Sequence, residues 1–125
     1  MTEDIILSII ESPGHPRLSS LYKELGFREI QVTSMRKAMA AVKNYKPAFI
    51  VAEFFYGYGN NYAGVNVSNL DVLLSSLVKF SPDTKTIVFV QKDEMEYVEK
   101  LHKLYPLHAA FLHNTPEHVI ADALK

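Results

Sequence analysis

Three short apolar runs constrain this chain more than any other feature: Ile5–Ile10, Ala48–Ala52 and Thr86–Val90. Each is rich in β-branched or aromatic side chains, continuous rather than alternating, and bounded by polar or turn residues. A strand with one wet face alternates apolar and polar residues. A strand covered on both faces does not, because both sets of side chains meet a core. The runs therefore predict buried strands of a parallel sheet. His108–His113 reads similarly, and Arg28–Thr33 alternates in the manner of an edge strand.

Between the runs, apolar residues recur at spacings of three and four, which predicts helices. Pro16–Leu25 carries Leu18, Leu21, Tyr22 and Leu25 and ends at Gly26, a natural C-cap. Ser34–Tyr45 sets Met35, Met39 and Val42 on one face behind a Thr/Ser cap and stops before Pro47. Ser68–Phe80 offers Leu70, Leu73, Leu74, Leu77 and Val78, closed by Ser81-Pro82-Asp83. Asp93–Tyr105 carries Met95, Val98, Leu101 and Leu104, closed by Pro106. Thr115-Pro116-Glu117-His118 opens a last short helix with a cap and a proline in its first turn. The order β-α-β-α-β-α-β-α-β-α, with short connections, implies right-handed crossovers and a five-stranded parallel sheet covered on both faces. Ligands of such sheets sit at the carboxyl ends of the strands. Here those ends are Glu11, Glu53, Gln91 and Asn114.

Composition narrows the function classes. A length of 125 residues suits one domain spanning 1–125, and 48% apolar with 22% charged residues is ordinary for a globular protein. Thirteen basic and fourteen acidic side chains leave a net charge of −1, so no broad field attracts nucleic acid or anionic lipid. The basic residues Arg17, Lys23, Arg28, Arg36, Lys37, Lys43 and Lys46 gather in the N-terminal third and read as solvated helix surface. No cysteine is present, which excludes disulfides, thiolate metal sites and thiol nucleophiles. Ile5–Ile10 is too short to span a membrane and follows Glu3 and Asp4 rather than a basic segment, so a cytoplasmic location is expected.

The frame Pro47-Ala-Phe-Ile-Val-Ala-Glu53, set among five βα units, resembles the receiver domains of two-component response regulators. The likeness covers essentially the whole chain. It implies a flavodoxin-like (βα)5 three-layer sandwich with strand order 2-1-3-4-5. In that family the third strand ends in a phosphoacceptor Asp, and Glu53 holds that position here. Two acids that bind Mg²⁺ end the family's first strand; Ile10-Glu11 stands there, leaving Glu11 as the one acid. Gln91 replaces the Thr or Ser ending the fourth strand, and Asn114 replaces the Lys ending the fifth. Phe111 falls where the family carries a switchable aromatic.

Aspartyl phosphorylation needs a carboxylate nucleophile, a hard divalent cation and fixed positive charge on the phosphoryl oxygens. Four departures in one constellation remove most of that set, so the resemblance implies a pseudo-receiver: no enzyme, no metal, no cofactor. Two readings of Glu53 stay open. It is a vestigial strand-end carboxylate, or the amides of Gln91 and Asn114 satisfy it and hold the domain in one conformation. Receivers signal through the surface that here is Asp93–Lys125, with Tyr97, Tyr105 and Phe111. The resemblance therefore implies a protein partner or a homodimer at that surface. The chain ends soon after its last helix begins, so an output must come from the partner.

After Glu53 the chain departs from the family again. The Leu73-Leu74 pair of the next helix comes twenty positions on, and residues 54–67 interleave Phe54, Phe55, Tyr56, Tyr58 and Tyr62 with glycines and asparagines. Tyr with Gly and Asn makes adaptable contact surfaces, so Tyr56, Tyr58 and Tyr62 are candidate partner contacts. Alternatively they cover the sheet end, or form the lid of a small-molecule site in the strand-end crevice. The loop is no phosphate cradle, since it lacks the Lys-Ser/Thr ending. Of five histidines, His15 and His113 fall at the strand-end face, where a metal or proton role is open to them. No pair has helical zinc spacing, and no Ser-His-Asp elbow is present.

Overall fold

A computed structural model of the chain describes residues 4–56 and 68–125. Five strands are present, β1 (Ile5–Ile9), β2 (Arg28–Val32), β3 (Phe49–Glu53), β4 (Lys85–Val90) and β5 (Ala109–Leu112). They alternate with α1 (Ser19–Glu24), α2 (Met35–Tyr45), α3 (Asp71–Phe80), α4 (Met95–Leu104) and α5 (Glu117–Ala123). The sheet is parallel throughout, in the order β2-β1-β3-β4-β5. This is the flavodoxin-like arrangement, and the continuous apolar runs are its inner strands.

Alternation along each strand divides the core into two layers. Leu7, Ile9, Ile50, Ala52, Val88 and Val90 face Val42 of α2, Leu73, Leu74 and Leu77 of α3 and Leu101 of α4. Ile6, Phe49, Val51, Ile87 and Phe89 face Leu21 and Tyr22 of α1 and Ile120 of α5. Glu53 shares the parity of Phe49 and Val51, so its carboxylate is delivered to the α1/α5 side. The expected edge strand β2 is an edge. β5 is the other edge, and its four residues are only half-buried, unlike the fully covered strand its composition suggested.

Helix ends follow local chemistry, with three shifts. Gly26 takes φ +89° behind α1, its N–H bonding Lys23 O at 3.1 Å while Phe27 N–H reaches Tyr22 O at 2.9 Å. This is the double closure that a left-handed residue permits. Ser34 caps α2 by accepting from Lys37 N–H at 3.2 Å. α1 begins at Ser19 rather than at Pro16, so residues 10–18 form a covering loop instead of a helical turn. α3 begins at Asp71 rather than Ser68. There the Asp71 carboxylate accepts from Ser68 N–H (2.7 Å) and Oγ (3.0 Å), and Ser68 Oγ accepts from Leu70 N–H (3.1 Å). This is a capping exchange ahead of the helix. Thr115 does not cap α5; its hydroxyl donates to Leu112 O at 2.7 Å, and Pro116 takes the cap position.

α2 ends on Lys46 at φ 45°, a left-handed conformation that costs a side-chain-bearing residue about 1 kcal/mol. Its ammonium donates to Phe80 O at 2.8 Å, an exposed contact that offsets only part of this cost. Lys46→Gly is expected to raise stability by about 0.5 kcal/mol in urea unfolding. A loss of stability would mean that the bond to Phe80 outweighs the backbone strain.

Candidate functional site

The carboxyl ends of β1, β3, β4 and β5 converge on Glu53, which is fully buried (0% exposed). The loop after β1 closes over it. Glu11 N–H and Ser12 N–H both donate to Glu53 Oε2 at 3.0 Å, and Ser12 Oγ donates to Oε1 in a short hydrogen bond. Among the described residues, Glu53 thus accepts from three donors, two on Oε2 and one on Oε1. Two imidazoles flank it: His15 Nδ1 lies 3.6 Å from Oε2 and His113 Nε2 lies 3.7 Å from Oε1. Both rings also flank Phe89, the β4 residue in register with Glu53, at centroid distances of 6.2 and 6.1 Å.

The loop reaches Glu53 because Pro13 and Pro16 keep residues 10–18 out of a helix, freeing the amides that follow β1 to point at the strand end. His15 is buried, and its Nδ1 has no hydrogen-bond partner. Burial pushes its pKa below the ordinary imidazole value, against the pull of Glu53 and of Glu29. Its neutral form therefore contributes stability that is complete above the ordinary value near 6.5. That contribution is lost as pH falls through the lower folded value.

Asn69 joins the two acids of the site. Its Oδ1 accepts from Phe55 N–H at 2.8 Å, and its Nδ2 donates to Glu11 Oε1 and to Glu53 O, each at 2.9 Å. Glu11 is held above the usual carboxylate range by burial and by Glu53, with the Asn69 bond working in the other direction. The only sequence signal for Asn69 is that it is a polar residue two positions ahead of α3.

Gln91 and Asn114 stand at the strand ends with Glu53. Both are exposed and line the mouth of a cavity of about 390 Å³ whose other walls include Ser12, Glu53, Lys92 and His113. The donors to Glu53 are instead the Glu11 and Ser12 amides and the Ser12 hydroxyl. Phe111 is half-buried, turned inward against Phe89 at 6.1 Å. Tyr56 stacks on Tyr97 of α4 at 3.8 Å with an 11° interplanar angle, and Lys100 lies over both rings. The Tyr56 amide donates to Glu94 Oε1 at 3.2 Å. Of the three candidate loop contacts, Tyr56 is thus seated on the chain's own α4. Tyr58 and Tyr62 lie outside the described residues. On the Asp93–Lys125 surface, Tyr97 and Tyr105 are half-buried, while Leu104 is 55% exposed.

The site does not fit the Mg²⁺ of an intact receiver. Ile10 brings no ligand, Glu11 is engaged by Asn69, and both oxygens of Glu53 already accept hydrogen bonds. Among the described residues, no group of three or more His, Asp or Glu side chains is arranged to hold a metal ion, and no helix is long and apolar enough to cross a membrane.

No family model and no curated protein matches the sequence. Solved structures do match its fold. FixJ-N superimposes with a TM-score of 0.73 at 14% identity, covering 99% of this chain and 92% of that one. A LuxR-family DNA-binding response regulator from Staphylococcus aureus gives 0.71 at 15% identity, covering 97% and 95%. A response regulator from Thermotoga maritima gives 0.68 at 14%, covering 98% and 95%. The chain has the receiver fold, a five-stranded parallel sheet in the order 2-1-3-4-5 alternating with helices.

Proposed function

We propose that residues 1–125 form a single receiver-like signalling domain of the cytoplasm whose phosphoacceptor position has become a fixed anchor, and that it works through protein contacts. The observation that carries this reading is the burial of Glu53 with both oxygens already accepting hydrogen bonds. A nucleophile must present a free lone pair to its phosphodonor, and this one points into its own loop. The loop bonds tie the end of β1 to the end of β3. No catalytic step is assigned to the chain. Output passes to a protein partner, or to a second copy, over the Asp93–Lys125 surface, where Leu104 and the Tyr56–Tyr97 stack stand exposed or half-exposed.

Thermal unfolding with Mg²⁺ and beryllofluoride, a phosphoryl mimic, tests the anchor. The melting temperature is expected to stay within about 1 °C of the free protein, because the mimic finds a carboxylate that is buried and already hydrogen-bonded to its own loop. A rise of several degrees would restore phosphorylation and end this reading. A second reading, a small-molecule module, is favoured by the cavity of about 390 Å³ at the strand ends, with Gln91, Lys92 and Asn114 at its mouth.

A further inference from the structure

Glu53 is a buried carboxylate, and among the described residues no lysine or arginine forms an ion pair with it. Among the described residues, the ionisable cationic groups within ion-pair distance of it are the two imidazoles, one on each oxygen. A buried carboxylate held only by neutral donors is under-compensated, and a proton on a neighbouring imidazole supplies the missing charge. Here the acceptors for such a contact are already in place. His15 Nδ1 is buried and unpartnered, 3.6 Å from Oε2. The His113 side chain is 25% exposed in the cavity that opens at the strand ends, so protons reach the cluster from water.

We propose that Glu53, His15 and His113 form a one-proton sensor, and that protonation draws the loops after β1 and β5 together across the end of β3. The inference rests on the anchor reading of Glu53. One proton is taken rather than two because both imidazoles face the same carboxylate, and charge on either opposes charge on the other. The surrounding groups set the balance. From β2, Glu29 favours charge on His15, and from β3 Glu53 does so more strongly. The His15 loop contributes Glu11, tied to Asn69, and Arg17 at the rim of the adjoining cleft. Lys92, after β4, lines the cavity with His113. α1 contributes the Tyr22 hydroxyl, which burial and Glu29 keep neutral. Burial also opposes a charge on His15, so the proton enters only as the medium turns acidic.

The geometry gives protonation a structural consequence. The β1–α1 loop already bonds Glu53 through Glu11 and Ser12, whereas the β5 end stands 3.7 Å off at His113. A charge-assisted bond at that point would shorten the gap to about 2.8 Å and bring the start of the β5–α5 segment with it.

Imidazole NMR of the whole chain between pH 4.5 and 8.5 tests this. The signals of His15 and His113 are expected to move with one shared midpoint and a combined amplitude of one proton. The Ser12 and Gly14 amides should follow the same curve. Glu53→Gln should lower the shared midpoint by about one pH unit. Two independent curves, a two-proton amplitude, or a midpoint unchanged in Glu53→Gln would overturn the proposal. If Glu53→Gln does not fold, His113→Gln serves instead: the pH response of Ser12 and Gly14 should vanish, and its persistence is the contrary result. Beryllofluoride with Mg²⁺ is added to the wild type at pH 7.5 in the same series. Binding there removes the anchor reading itself, whereas independent histidine curves without binding remove only the sensor.

Discussion

Glu53→Ala is expected to destabilise the protein by about 3 kcal/mol in urea unfolding, a fall of roughly 10 °C in melting temperature. The substitution empties a fully buried volume and strands the Glu11 and Ser12 amides, which would then lie buried without an acceptor. Glu53→Gln should cost far less, about 1 kcal/mol. Its Oε1 can take both amides while its Nε2 turns to Ser12 Oγ, and only charge assistance is lost. The contrast between the two variants separates an anchor from a vestige. A solvated leftover carboxylate would lose little in either variant. Equal small losses, below about 0.5 kcal/mol, would contradict the anchor.

Asn69→Ala should cost about 2 kcal/mol, since one side chain serves Phe55 N–H, Glu53 O and Glu11 together. Asn69→Asp should be worse at neutral pH, by about a further 1 kcal/mol. It keeps the acceptor for Phe55 but turns a carboxylate oxygen toward Glu11 and toward the Glu53 carbonyl. The pH dependence has a definite sign. Glu11 already has its pKa raised in the fold, so the stability tied to its protonated form is complete below the ordinary carboxylate value. That stability is lost as pH rises through the folded value. A second carboxylate enlarges this effect. The two variants should therefore approach one another near pH 4 and diverge toward pH 7. Parallel curves over that range would show that Asn69 does not face Glu11 in solution.

Much of the architecture was legible because it rests on local periodicity. Continuous apolar runs mark strands covered on both faces, and spacings of three and four mark the helices, so element order and the parallel sheet follow from the residues alone. Boundaries were less legible where a loop had a tertiary task. Pro16–Leu18 has helical spacing, yet the structure uses it to roof the strand end. His108–His113 is apolar in its middle and predicts a covered strand, whereas β5 is half-buried. An edge position is decided by which strand lies beside it, and composition does not record neighbours.

The site divides along the same line. The sequence by itself determined that Glu53 ends β3 and that Glu11 stands without a second acid. It also placed Gln91 and Asn114 at the ends of β4 and β5. Only the tertiary structure decided what meets Glu53 instead. Its donors come from positions 41 and 42 residues away, and the Asn69–Glu11 bond joins residues 58 apart. Side-chain amides at neighbouring strand ends looked like the natural donors, but the backbone of the β1–α1 loop arrived first. Periodicity fixes the face on which a residue lies. The path of a loop over a strand end is set by packing across the whole sheet, and that path brought the backbone of Glu11 and Ser12 onto the Glu53 carboxylate.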